Sequence, residues 1–126
     1  MMYKVIMRAT KVAVFCLLVW LAAQSFAAAT TQQTWSGEIS DSACNKEHTA
    51  AEGEPVPPAP ECVRICLRGG SKYVFVAGGE NVYKIANQDH ADLAKFAGKA
   101  VKLTGELKGD SVTITLIVEA PYNFRF

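Results

Sequence analysis

Residues 99–119 read KAVKLTGELKGDSVTITLIVE. Two runs of alternating side chains flank Lys108, Gly109 and Asp110. A period of two places Val101, Leu103 and Leu107 on one face of the first run and Lys102, Thr104 and Glu106 on the other. In the second run Val112, Ile114, Leu116 and Val118 are expected to face inward, with Thr113 and Thr115 outward. Glycine inside a three-residue polar break suits a hairpin turn. Two long strands, each with one apolar face, must bury that face against other strands. The hairpin therefore sets a mainly β fold.

Working back from the hairpin, residues 87–97 read as a helix. Asn87 or Asp89 is its expected cap and Gly98 its stop. Residues 72–77 and 81–86 read as strands joined at Gly78 and Gly79. Residues 61–68 form a two-turn helix, with Pro60 at its start and Gly69 and Gly70 at its end. At 100° per residue, Cys62, Val63, Ile65, Cys66 and Leu67 share one broad face, which points the cysteines toward the core. Glu61, Arg64 and Arg68 take the opposite face. Residues 49–61 hold Pro55, Pro57, Pro58 and Pro60, which reads as a solvated loop. Residues 35–40 make a first strand with Trp35, Gly37 and Ile39 on one face, and Gly37 marks a bulge or a tight bend.

Five short strands with a helix between the third and fourth follow the order of a small OB-like barrel. The two helices are short, and the first is an insertion between strands one and two. A meandering β-sandwich is the alternative. The 126 residues fit one domain, and a composition that is 50% hydrophobic and 20% charged is globular.

Residues 1–29 read as a secretory signal peptide. Lys4, Arg8 and Lys11 precede an uncharged stretch over 12–23, and small residues Ser25, Ala27 and Ala29 offer cleavage after 27 or 29. The apolar core is shorter than the ~20 residues of a spanning helix, so no membrane span is expected after cleavage. Bulky Phe15 before Cys16 argues against lipidation. The barrel domain then occupies 30–126, exported to the periplasm or the extracellular space. Cleavage removes three of 13 basic residues and none of the 12 acidic ones, turning a formal charge of +1 into about −2. Charge and location together exclude nucleic acid as a partner.

Three cysteines remain: Cys44, Cys62 and Cys66. Cys62 and Cys66 lie one helical turn apart, and Cys44 with His48 can close the set from the preceding loop. Three thiolates and an imidazole suit zinc, or copper given the softness of sulfur. An oxidising compartment favours instead one disulfide, Cys44 with Cys62 or Cys66, closing a loop of about 20 residues for roughly 3 kcal/mol. Thiol redox chemistry is a third reading, with His48 lowering the pKa of a nearby thiol. Asp41 is expected to cap a turn before Cys44, His90 to pack at a helix boundary, and Tyr73, Phe75 and Tyr83 to pack in the core rather than form a binding platform. The alternating aromatics of 122–126 read as an edge or tail.

Several stretches resemble an uncharacterised family of small secreted bacterial proteins, a domain of unknown function. They are Gly37-Glu38-Ile39-Ser40-Asp41-Ser42-Ala43-Cys44, His48, Glu61-Cys62-Val63-Arg64-Ile65-Cys66, Tyr73-Val74-Phe75-Val76 and Val82-Tyr83-Lys84-Ile85-Ala86-Asn87-Gln88. The final hairpin also is similar to that of periplasmic bacterial OB-fold stress proteins. These resemblances imply a layout and no mechanism. With no catalytic set in view, the expectation is a non-enzymatic exported binding or envelope-stress module. Its partner would be a small ligand or an envelope component, with no cofactor beyond zinc or copper.

Overall fold

A computed structural model describes residues 31–50 and 52–121. The expected signal peptide and the tail at 122–126 lie outside them. The elements are β1 (Gln33–Asp41), α1 (Ala59–Arg68), β2 (Tyr73–Ala77), β3 (Asn81–Ile85), α2 (Leu93–Phe96), β4 (Ala100–Lys108) and β5 (Ser111–Glu119). The strands close into a barrel in the order β1-β2-β3-β5-β4. The fold is mainly β with two helices, and this strand order is compatible with the OB-like expectation.

β1 is the long shared strand. Gln33 to Glu38 pair with β4, and Gly37 to Asp41 pair with β2. Gly37 sits where the two ladders overlap, and the register runs through it unbroken. It marks a close approach rather than a bulge: a Cβ there would lie 2.3 Å from the Val76 carbonyl oxygen and 2.6 Å from the Phe75 ring. Phe75, fully buried, takes the space that a side chain at 37 would need.

The barrel closes through two parallel pairs, Lys84 with Ser111 and Ile85 with Val112. Asn87 adds one more rung with its side chain. Its Nδ2 donates to the Ile114 carbonyl and its Oδ1 accepts from the Ile114 amide, both at 2.8 Å. Gln88 does the same for Tyr73, accepting from its amide and donating to its carbonyl at 2.9 Å. These amides are engaged as strand mimics, so the helix expected over 87–97 contracts to Leu93–Phe96. Neither Asn87 nor Asp89 caps it. His90 stands at its start, where its carbonyl accepts from Leu93 and its Nδ1 from the Asp92 amide.

The hairpin of β4 and β5 departs from simple alternation at one point. Thr104 pairs with Leu116 but Gly105 pairs with Ile114, leaving Thr115 as an extra residue on β5. A bulge inverts the faces beyond it. Leu116 and Val118, expected inside, are 50% and 42% exposed, and Ile117 takes the inner position at 3%. The barrel core is built from Ile39, Phe75, Ile85, Leu93, Phe96, Val101, Leu103, Val112, Ile114 and Ile117. Tyr73 and Tyr83 pack against it, so the aromatics serve packing.

α1 packs against β1 on the outside of this core. It begins two residues earlier than expected, at Ala59, because a proline in the first turn gives up an amide that has no helical acceptor. The proline loop is shorter by that turn. The helix start rests on Gly98 (φ +70°), where a Cβ would fall 2.3 Å from the Pro60 nitrogen. On the curved barrel wall the helix buries a narrow stripe, Cys62 and Val63. Ile65, expected inside, is 45% exposed.

The bulge makes a specific forecast. Ile117→Ala should cost about 2–4 kcal/mol in urea unfolding, while Leu116→Ala should cost under about 1 kcal/mol. Equal costs, or the reverse order, would restore the unbroken alternation.

Candidate metal centre

The site is built on the end of β1. Asp41 is fully buried. Its Oδ1 accepts from the amides of Ala43 at 2.9 Å and Cys44 at 3.0 Å, the Asx turn expected of it. The Asn45 amide donates to the Asp41 carbonyl at 2.8 Å, and Ser40 Oγ donates to the Asn45 carbonyl at 2.7 Å. Asn45 takes φ +53°, a conformation that asparagine tolerates better than most residues. The turn is also tied to the start of β2, where Ser42 and Lys72 exchange two hydrogen bonds. Cys44 therefore sits on a braced loop rather than a free one. Ser42 is spent on this brace.

α1 supplies the other thiols. Cys62 and Cys66 lie one turn apart, Cys62 buried and Cys66 half-buried. The helix end is held by amides of Gly69, Gly70 and Ser71 donating to the carbonyls of Ile65, Leu67 and Cys66. Cys44 Sγ lies 3.6 Å from Cys62 Sγ and 3.8 Å from Cys66 Sγ. All three sulfurs fall within 4.8 Å of one another. Among the described residues the three cysteines are free, so neither expected disulfide, Cys44 with Cys62 or with Cys66, is formed here. At 3.6 and 3.8 Å the sulfurs stand well beyond the ~2.05 Å of an S–S bond.

His48 enters from one side. Its Nε2 is 2.8 Å from Glu38 Oε1 on β1. It groups with Cys44 and Asp41, whose donor atoms also lie within 4.8 Å of one another. The four-residue set expected from the sequence thus divides: the thiols form one cluster, and His48 joins Cys44 through Asp41. Two buried polar atoms among the described residues have no hydrogen-bond partner, and both belong to this second group: Asp41 Oδ2 and His48 Nδ1. Buried polar atoms are almost always paired, so an orphaned oxygen and nitrogen beside a thiol point to a missing third party.

Asp41 and Glu38 are the site residues that sequence reasoning missed. The Asp-x-x-Cys spacing announces a capped turn, and nothing in it reports that the second carboxylate oxygen is left over. No local pattern links Glu38 to His48, because one is on a strand and the other beyond the turn.

The thiols are shaped by their surroundings. Burial pushes the Cys62 thiol up, aided by the hydrogen bond and charge of Cys44 and by Asp41. Burial, with Cys44, Asp41 and Cys62, pushes Cys66 up to about 12. Thiols raised in this way are poor nucleophiles near neutral pH. Beside the cluster lies a cleft of about 340 Å³ between α1 and the proline loop, lined by Cys62, Ile65, Cys66, Glu54, Pro55 and Pro57. The exposed Ile65 is one of its walls.

No protein family, curated protein or solved structure matches the chain.

The raised thiols have a consequence for the metal-free protein. The folded state keeps its protons where the unfolded chain has lost them, so their contribution is full below about pH 9 and falls as pH rises toward 12. Urea midpoints should drop between pH 9 and pH 11, and Cys66→Ser should flatten that drop. A midpoint that holds steady across this range would contradict the raised thiols.

Proposed function

We propose that this chain is an exported, non-enzymatic barrel module whose ligand is a thiophilic metal ion, held by Cys44, Cys62 and Cys66. The observation that carries this reading is the sulfur spacing. Metal–sulfur bonds of ~2.3 Å at a tetrahedral ion put sulfurs about 3.8 Å apart. The two measured separations are 3.6 and 3.8 Å. A disulfide needs ~2.05 Å, and a simple pair contact between thiols does not bring three sulfurs within 4.8 Å of one another.

Zinc fits the donors better than copper(I). Cys44 also groups with Asp41 and His48, so nitrogen and oxygen donors converge on the sulfur that the cluster shares, and such mixed donors with thiolate are zinc's usual set. Copper(I) favours sulfur alone. Glu38 against His48 Nε2 adds the outer carboxylate that orients a ligating imidazole and leaves Nδ1 free to bind. Export rests on the basic and apolar leader of residues 1–29.

The test is zinc added to the reduced, metal-free protein. Native mass should gain zinc that vanishes on denaturation. At a hundredfold excess over Kd, zinc should stabilise the fold by about 2.7 kcal/mol. Cys66→Ser should weaken this gain at least tenfold in affinity. A protein that takes up no zinc and shows no thermal shift is not the metal module described here.

A further inference from the structure

We infer that the site is binuclear: a second divalent ion of the zinc type sits at Asp41, Cys44 and His48, with the Cys44 sulfur bridging both ions. The inference rests on the metal-binding reading above and extends it from one ion to two.

The donors divide into two triads that share one atom. Cys44, Cys62 and Cys66 form the first, and Asp41, Cys44 and His48 form the second, each within 4.8 Å. Two donors on one ion at zinc's bond lengths lie no more than about 4.6 Å apart, even when directly opposed. The five donors do not all lie within 4.8 Å of one another, while the donors of each triad do. One ion therefore cannot serve them all where they stand, and two ions can. A thiolate that binds one ion keeps lone pairs for another, so Cys44 can belong to both.

The second triad carries its own evidence of a ligand. Asp41 is fully buried, and its Oδ2 has no partner. His48 Nδ1 is buried and equally without one. The remaining atoms of both side chains are held in place. Two backbone amides fix Asp41 Oδ1, and Glu38 fixes His48 Nε2. Each residue thus has one atom anchored by an outer partner and one atom buried without a partner, as metal ligands held by an outer shell have.

Charge gives the count. Three bound thiolates and Asp41 carry four negative charges in a site where Asp41 is 0% and Cys62 3% exposed. One divalent ion would leave two of those charges uncompensated, which burial penalises strongly. Two divalent ions bring the set to neutrality with His48 uncharged.

The experiment is stepwise zinc titration of the reduced protein, read by native mass. The wild type should bind two zinc ions. His48→Ala should bind one, and so should Asp41→Asn, which keeps the oxygen that caps the turn while removing the charge. Circular dichroism of both variants checks that the barrel is intact. One zinc on the wild type would overturn the second position and leave the thiolate site standing. No zinc would overturn both. Two zinc ions that persist in both variants would place the second ion elsewhere and overturn this assignment.

Discussion

A single buried carboxylate organises the functional part of this molecule. Asp41 ends β1, and its two oxygens do different work. Oδ1 draws two amides into the turn that presents Cys44. Oδ2 is left buried and unpaired, in the residue that groups with Cys44 and His48. A buried carboxyl oxygen without a partner is costly. The turn that presents Cys44 thus also leaves that oxygen without a hydrogen-bond partner. Ser40, Ser42 and Asn45 brace the turn with further hydrogen bonds.

The same economy appears in the barrel. Its closing seam has only two strand pairs, and Asn87 extends it by copying a backbone rung with a side-chain amide. Gln88 ties Tyr73 in the same manner and also donates to the Ile85 carbonyl. A short parallel contact would otherwise leave amides and carbonyls of β5 and β2 unpaired inside a small domain. These two residues look like the start of a helix in a linear reading. Their side chains satisfy strands, and the helix shrinks to one turn.

What the sequence could reveal follows from how local each cause is. Strand and hairpin positions were legible because alternation is a property of neighbours. The reading failed at Leu116, where one extra residue at Thr115 inverts the faces and no residue type announces it. The glycines were legible as special but not in kind: Gly37 is where a ring from β2 crosses, and only the packed fold shows that ring. The cysteine cluster was legible because Cys62 and Cys66 share a helical face and Cys44 lies on the adjoining connection. Its division into two triads was not. That depends on Glu38 reaching His48 across ten residues and on an oxygen of Asp41 being left over, both tertiary facts.

The site and the barrel core share no cysteine. The cluster inside the strands is aliphatic and aromatic throughout, and Cys44, Cys62 and Cys66 lie outside it. The barrel can therefore reach its packed state through burial of Phe75, Ile39, Leu103 and their neighbours alone, each worth about 1.5–3 kcal/mol. What a metal would add is confined to the connection between β1 and α1. That connection carries a proline-rich stretch with little buried apolar surface, the kind of segment that opens at low cost. Metal binding would then act as a local staple, exchanging the thiols' buried protons for a cation that fastens α1 to the barrel wall. An ion bound there could leave without unfolding the barrel, because the energy that holds the strands comes from the core and not from the thiols.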